Sequence, residues 1–305
     1  MTKIPVGATI AHAYRFAFGS FVKIFAVVWM TWVIATALGF LMMRPMLQLL
    51  APGATPDPVA IGHSFIMIVP FYLLVLVLLM VQFAGLTRLA LGLPMPSSYF
   101  YFSLGKPVWR LMGAFLLILL IFAGCGAGAG IVIGLLGATA ALVARAGEVM
   151  ATEILGLVAS VTALVVYCAL IYGMVRLTFL LNPVVIAEER IGLKRAWQLG
   201  KGNFWRAFVV LLALFLPLMA LELAWLFGPW GPGLMPTLPP HPTPEQTAAF
   251  QAAVAQWMNQ FSHIFMDGWY ITGPAFLLIT ILFYGAMCGA QAFAYRAVTE
   301  GVEAS

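Results

Sequence analysis

Six stretches of this chain are continuously apolar over about 20 residues or more: roughly 24–43, 64–86, 111–143, 154–181, 207–227 and 269–294. A helix needs about 20 such residues to cross ~30 Å of hydrocarbon, where its backbone groups must bond to one another because water is absent. Transmembrane strands would instead alternate over about ten residues, and these runs do not. The expected fold class is therefore all-α: a polytopic membrane protein with six transmembrane helices. Charged residues make up only 8% of the chain, against about a quarter in soluble domains. The third run is too long for one straight crossing, so it must tilt, bend or end in an interfacial turn. The first run follows Lys3, Arg15 and Lys23, exceeds a signal-peptide core and has no small-residue cleavage site after it. It reads as a retained helix.

Sorting the 15 Lys and Arg residues by this topology puts thirteen on one side. They are Lys3, Arg15 and Lys23 at the N-terminus, Arg88, Lys106 and Arg110 in the second connection, and Arg296 at the tail, with the fourth connection holding the other six. Only Arg44 and Arg145 fall on the opposite side. The positive-inside rule then makes both termini cytoplasmic, for a chain expected to cross an inner (plasma) membrane. The net charge of +5 suits anionic lipid headgroups as partners; nucleic acid is not expected, because no basic soluble domain is present to hold it.

A unit can be read three times, over approximately 8–88, 96–176 and 192–296 within a single membrane domain spanning 1–305. Each copy begins with an aromatic, basic segment, rises through one apolar helix and returns through another. The entry segments run from Ala13 to Lys23, Tyr99 to Arg110 and Lys194 to Arg206, and the returns end at Gly85-Leu86-Thr87-Arg88, Gly173-Met174-Val175-Arg176 and Ala294-Tyr295-Arg296. The expected architecture is three helical hairpins joined by cytoplasmic amphipathic elbow helices at headgroup depth. In it, Arg15, Lys23, Lys106, Arg110, Lys201 and Arg206 are candidate lipid-headgroup contacts, reaching phosphates beside Trp and Tyr.

Further features stand out. Gly126, Gly130 and Gly134 recur at four-residue spacing in the third run, a pattern that lets helix backbones approach closely. The outer segment 228–268 begins with Pro- and Gly-rich sequence that cannot be regular helix. From Thr243-Pro244-Glu245 it turns to helix-start chemistry, and Phe250, Val254, Trp257 and Phe261 then recur at helical spacing opposite Gln251, Gln256 and Gln260, which predicts an uncharged amphipathic helix. Glu222 lies about one turn from the outer end of the fifth run, placed to carry a proton or cation or to stay solvated in a structural role. Gln82 and Gln291 suit interhelical hydrogen bonds, and Asn182-Pro183 reads as the end of the fourth helix. Cys125, Cys168 and Cys288 fall singly in apolar runs, as inert thiols with neither disulfide nor metal-knuckle spacing.

No catalytic residue is assigned. His12, His63, His241 and His263 are isolated, and no metal site, hydrolase elbow or phosphate loop can be assembled. Gly200-Lys201-Gly202-Asn203 looks like a phosphate cradle but lacks the strand before it and the hydroxyl after Lys. No cofactor is implied. The stretch from Asn182 to Arg206, with its acid, Gly, Ala, aromatic, Leu, Lys-Gly and Phe-Trp-Arg pattern, resembles uncharacterised bacterial six-helix membrane proteins related to the membrane domain of glycerophosphoryl diester phosphodiesterase. In those enzymes catalysis belongs to a separate soluble barrel, for which this chain has no length left, so the resemblance implies a membrane module without the hydrolase activity. The expected function is non-enzymatic: a scaffold or accessory subunit of a membrane assembly, with a protein partner in the membrane, or a lipid-organising protein. The alternative is a small-molecule or lipid transporter using Glu222.

Overall fold

A computed structural model describes residues 2–49, 58–95, 101–227, 236–239, 243–266 and 269–301. Among these residues the fold is entirely helical. In chain order the helices are α1 (Val6–Gly19), α2 (Phe21–Leu49), α3 (Pro58–Ala90), α4 (Lys106–Arg145), α5 (Val149–Thr178), α6 (Leu181–Ala187), α7 (Leu193–Leu199), α8 (Phe204–Phe227), α9 (Pro244–Met266) and α10 (Trp269–Glu300). Six segments, on α2, α3, α4, α5–α6, α8 and α10, are long and apolar enough to cross a membrane. These are the six runs read from the sequence.

α2 packs along α3, α4 along α5, and α10 touches α2, α3, α6 and α8. The long third run is one uninterrupted helix of 40 residues, about 60 Å and so roughly twice the hydrocarbon thickness. An interfacial turn is thereby removed from the options. α9 starts as its sequence dictates: Gln246 N–H donates to Thr243 Oγ1 at 3.2 Å while Thr243 N–H donates to Gln246 Oε1 at 3.0 Å, a reciprocal cap that satisfies two orphan donors. Phe250, Val254 and Trp257 are partly covered, Gln251 and Gln256 are exposed, and α9 packs on α10.

The three entry segments differ. In the first, α1 packs one face, with Thr9, Ala13 and Ala17 buried, against α8 and α10 and leaves Arg15 and Phe18 exposed. Ile4 meets Asn203 and Tyr14 meets Ala213, both 199 residues on, so α1 runs parallel to α8. In the second entry, residues 101–105 are non-helical and the helix begins at Lys106; Tyr99 and Phe100 lie outside the described residues. In the third, α7 forms where a helix was expected, but Asn182-Pro183 opens a helix rather than closing one. α5 stops at Thr178, and Pro183 sits in the first turn of α6, where its missing N–H costs no helical bond. α6 then buries Leu181, Pro183, Val184, Val185 and Ile186.

The core lies at one end. Every buried described residue of the membrane-length helices falls at or before Thr31 on α2, at or after Leu78 on α3, at or before Ile118 on α4, at or after Val175 on α5, at or before Leu214 on α8 and at or after Ile281 on α10. These are the ends that carry Lys23, Arg88, Lys106, Arg176, Arg206 and Arg296. Two apolar clusters fill this basic end, one around α2, α3, α6 and the start of α4, the other around α1, α8 and the end of α5, with α10 in both. Beyond it the membrane-length helices continue without a buried described residue.

Close helix approach occurs here, at glycines other than those expected. A Cβ on Gly289 would lie 2.9 Å from Phe16 Cδ1, one on Gly285 2.8 Å from Ile24 Cδ1, and one on Gly85 2.7 Å from both Tyr101 and Val27. At Gly126, Gly130 and Gly134 nothing lies within 4 Å. Among the described residues the four-residue glycine stripe therefore makes no close helix contact. It occupies an open side of α4, flanking the line of Phe122, Ala129, Ile133 and Leu136, which is partly covered.

Candidate functional site

The basic end carries the chemistry. One polar feature there is a clamp on the N-terminus by the Lys201-Gly202-Asn203-Phe204-Trp205-Arg206 segment. Gly202 adopts φ +76°, a left-handed conformation that glycine enters without a Cβ penalty, and Asn203 follows at the head of α8. Asn203 is only 2% exposed; its Oδ1 accepts from Ile4 N–H at 3.0 Å and its Nδ2 donates to Thr2 O at 3.4 Å. Arg206 donates to Ile4 O at 2.9 Å. The apparent phosphate cradle thus has its Asn committed to the chain's own backbone, and Lys201 alone of the group points outward as an exposed cation.

Glu188 is a second hub. It accepts from Arg190, from Arg195 Nε at 3.1 Å and from Tyr295 at 3.4 Å. Burial pushes its carboxyl up, but the hydrogen bonds and charges of Arg190 and Arg195 outweigh this and hold it below the usual carboxylate range. Glu189, exposed and at φ 50°, pairs with Arg110 at 3.3 Å. The hydrogen bonds of these two acids therefore reach α4 and α10 as well as the loop itself. On α1, His12 stacks on Phe293 with centroids 4.8 Å apart. Burial first, then Arg296 and Arg15, push its pKa down, favouring the neutral imidazole.

The three exit arginines share a task that sequence reading missed. Arg88 donates to Pro94 O at 2.9 Å, Arg176 to Trp197 O at 3.1 Å and Arg296 to Leu91 O at 2.6 Å. Each braces the backbone of a connection at this end. Arg176 also bonds Tyr172 Oη at 2.8 Å and lies 3.8 Å from the Trp197 ring centroid, a cation–π distance. For Arg88 and Arg176 the signal was present in the repeated Gly-x-x-Arg, which Arg296 lacks, but nothing in it says that a carbonyl would be the partner.

Of the six candidate headgroup residues, Arg15, Lys23, Lys106 and Lys201 are exposed. Arg110 and Arg206 are partly covered and bonded within the chain. Exposed apolar side chains sit among them, Phe18, Val22, Trp109 and Trp205 being more than half exposed. Inside the membrane-length segments, Gln82 Nε2 donates to Thr31 Oγ1 at 2.7 Å, and Asn182 Nδ2 to Gln291 Oε1 at 3.1 Å. These are two separate interhelical bonds, α3 to α2 and α6 to α10, as expected for both glutamines; Gln82 Oε1 has no hydrogen-bond partner. Glu222 lies in α8, but its side chain is outside the described residues, as are His241 and the side chain of His263. Among the described residues no three His, Cys, Asp or Glu converge; Cys288 is buried with Thr87 Oγ1 at 3.9 Å, whereas Cys125 and Cys168 are on the surface of the α4–α5 pair.

Protein-family models, curated proteins and solved structures offer no match to this chain.

Proposed function

We propose that this chain is a non-enzymatic integral protein of the bacterial inner membrane, with cytoplasmic termini, acting as a lipid-organising scaffold or accessory subunit of a membrane assembly. The observation that carries the reading is the division of labour at the basic end. Arg88, Arg176, Arg206, Arg296, Asn203 and Glu188 spend their hydrogen bonds on the fold. Arg15, Lys23, Lys106 and Lys201 are left exposed beside apolar side chains that suit headgroup depth. The threefold unit then becomes a headgroup-anchoring framework whose hairpins share one core. The resemblance of residues 182–206 to the phosphodiesterase membrane module supports the same reading.

The test is to replace Arg15, Lys23, Lys106 and Lys201 together by Gln and measure co-purified lipid and protein after extraction in mild detergent. The expected result is at least a threefold loss of phosphatidylglycerol relative to phosphatidylethanolamine, with the folded protein retained. A wild-type chain recovered as a lone, lipid-poor monomer would overturn the proposal. Transport through Glu222 is the competing reading. A change in proton or ion flux on Glu222→Gln would replace the scaffold by a transporter.

A further inference from the structure

His12 is held where an imidazole can meet an anion. Its ring stacks on Phe293 with centroids 4.8 Å apart, and one turn further along α1 a Cβ on Gly289 would lie 2.9 Å from Phe16 Cδ1. Residue numbers rise on α1 as they fall on α10, so the two helices run antiparallel. Arg15, three residues past His12, and Arg296, three residues past Phe293, therefore flank the imidazole from opposite directions, each about one turn away. Both guanidinium charges act on the ring.

These groups have donors to spare. His12 makes no hydrogen bond to a described residue, and its nitrogens are not among the buried polar atoms that lack a partner, so they reach the surface. Arg15 is exposed, with neither a hydrogen bond nor an ion pair among the described residues. Arg296 donates one N–H to Leu91 O at 2.6 Å and keeps the rest of its five-donor fork. No described carboxylate answers the cluster. Glu188 and Glu189 are bonded to Arg190, Arg195 and Arg110, and Glu300, at the end of α10, acts on Tyr295 rather than on His12. On the other helices packed against α1, Arg206 of α8 is bonded to Ile4 O and Lys23 of α2 is exposed; both add positive charge. Two guanidinium forks with an imidazole between them, ordered by a ring stack and by helix register, suit the several oxygens of a phosphate.

We propose that His12, Arg15 and Arg296 form a binding site for one phosphate group, supplied by a lipid headgroup of the basic-end leaflet or by free phosphate. The inference deepens the headgroup reading, and rests on it for the lipid as source. Binding is coupled to proton uptake. In the empty site burial and the two guanidiniums favour the neutral imidazole; a phosphate between them draws a proton onto the ring, so affinity rises as pH falls toward the midpoint of the empty site.

The full chain in maltoside detergent and phosphate-free buffer tests this by histidine NMR, with the His12 signal assigned from its loss in His12→Asn. Adding short-chain phosphatidylglycerol should raise the His12 midpoint saturably, by about half a pH unit or more, and Arg15→Gln should weaken that response about fivefold. Arg296→Gln should do the same; Arg15 is exposed, so its variant decides the matter if loss of the Leu91 brace unfolds the other. A rise with phosphatidylglycerol but not with inorganic phosphate supports the site with lipid as its source, and a rise with inorganic phosphate supports it with a soluble source. No rise with either probe overturns the site, as does an equal rise in folded Arg15→Gln. So does an equal rise with decanoate, which charges the micelle without a phosphate. Phosphatidylglycerol that co-purifies with a wild type whose His12 is unresponsive defeats the site and leaves the headgroup reading standing. A lipid-poor monomer whose His12 answers inorganic phosphate does the reverse.

Discussion

The two ends of this helix bundle are made of the same apolar residue types and behave differently. At the basic end Phe179, Ile24, Leu86, Leu111 and Ile281 are fully buried, glycines admit neighbouring side chains, and polar groups tie the connections down. At the far end Ile131, Leu135, Leu142, Leu157 and Leu164 are each more than 60% exposed. Among the described residues the distal halves of α4 and α5 contain no buried residue. Hydrocarbon solvates apolar side chains as well as a protein core does, so burial of such groups gives membrane helices little reason to close. Closure needs tight packing or hydrogen bonds, and this chain supplies them at one end.

The comparison can be broken most severely at a glycine of the packed end. Gly289→Leu drives a side chain into Phe16 and should cost about 3 kcal/mol, seen as a collapse of the monodisperse gel-filtration peak or a fall of many degrees in thermal midpoint. Asn203→Ala removes both side-chain bonds to the N-terminus and leaves Ile4 N–H buried without a partner. A loss of about 2 kcal/mol is expected, with faster amide exchange confined at first to residues 2–6; an unchanged exchange rate would contradict the clamp.

Glu188 gives a smaller effect with a defined sign. Its folded pKa is depressed, so its stabilising contribution is present above the unfolded carboxylate value and is lost as pH falls through the lower folded value. The wild-type thermal midpoint should therefore decline as pH drops below about 4.5, and Glu188→Gln should flatten that part of the profile while lowering the midpoint near neutral pH. The smallest effect belongs to the far end. Gly130→Leu meets nothing within 4 Å and should change stability by no more than about 0.5 kcal/mol. A loss comparable to that of Gly289→Leu would mean that the distal hairpin is packed after all.

Much of the architecture was legible because membrane physics writes it in composition. The six spans, the cap at Thr243 and the amphipathic α9 follow from run length, hydroxyl placement and helical periodicity. The candidate site was legible only in its residue types. Gly126-x-x-x-Gly130-x-x-x-Gly134 satisfies the spacing rule for close helix approach and meets nothing within 4 Å, while approach occurs at the lone Gly85 and at Gly285-x-x-x-Gly289, which has the same spacing. Whether a small residue is needed depends on what faces it, which periodicity along one helix does not encode. Asn182-Pro183 misled for a related reason. Pro is equally at home after one helix and in the first turn of the next, and the choice rests on α6 finding buried partners on α3, α4 and α10.

What the residues determined by themselves is the solvent: apolar runs of this length, with so few charges, can satisfy their backbone only as helices across hydrocarbon. The skew of Lys and Arg toward one end follows from the same sequence. Tertiary structure decided how those helices meet. It set α1 against α8 and α10, turned Asn203 and the exit arginines into braces, and closed the bundle at one end. The reason is that helix–helix contact in a membrane depends on the shape of both partners at each level, and shape complementarity between distant segments exists only once they are brought together.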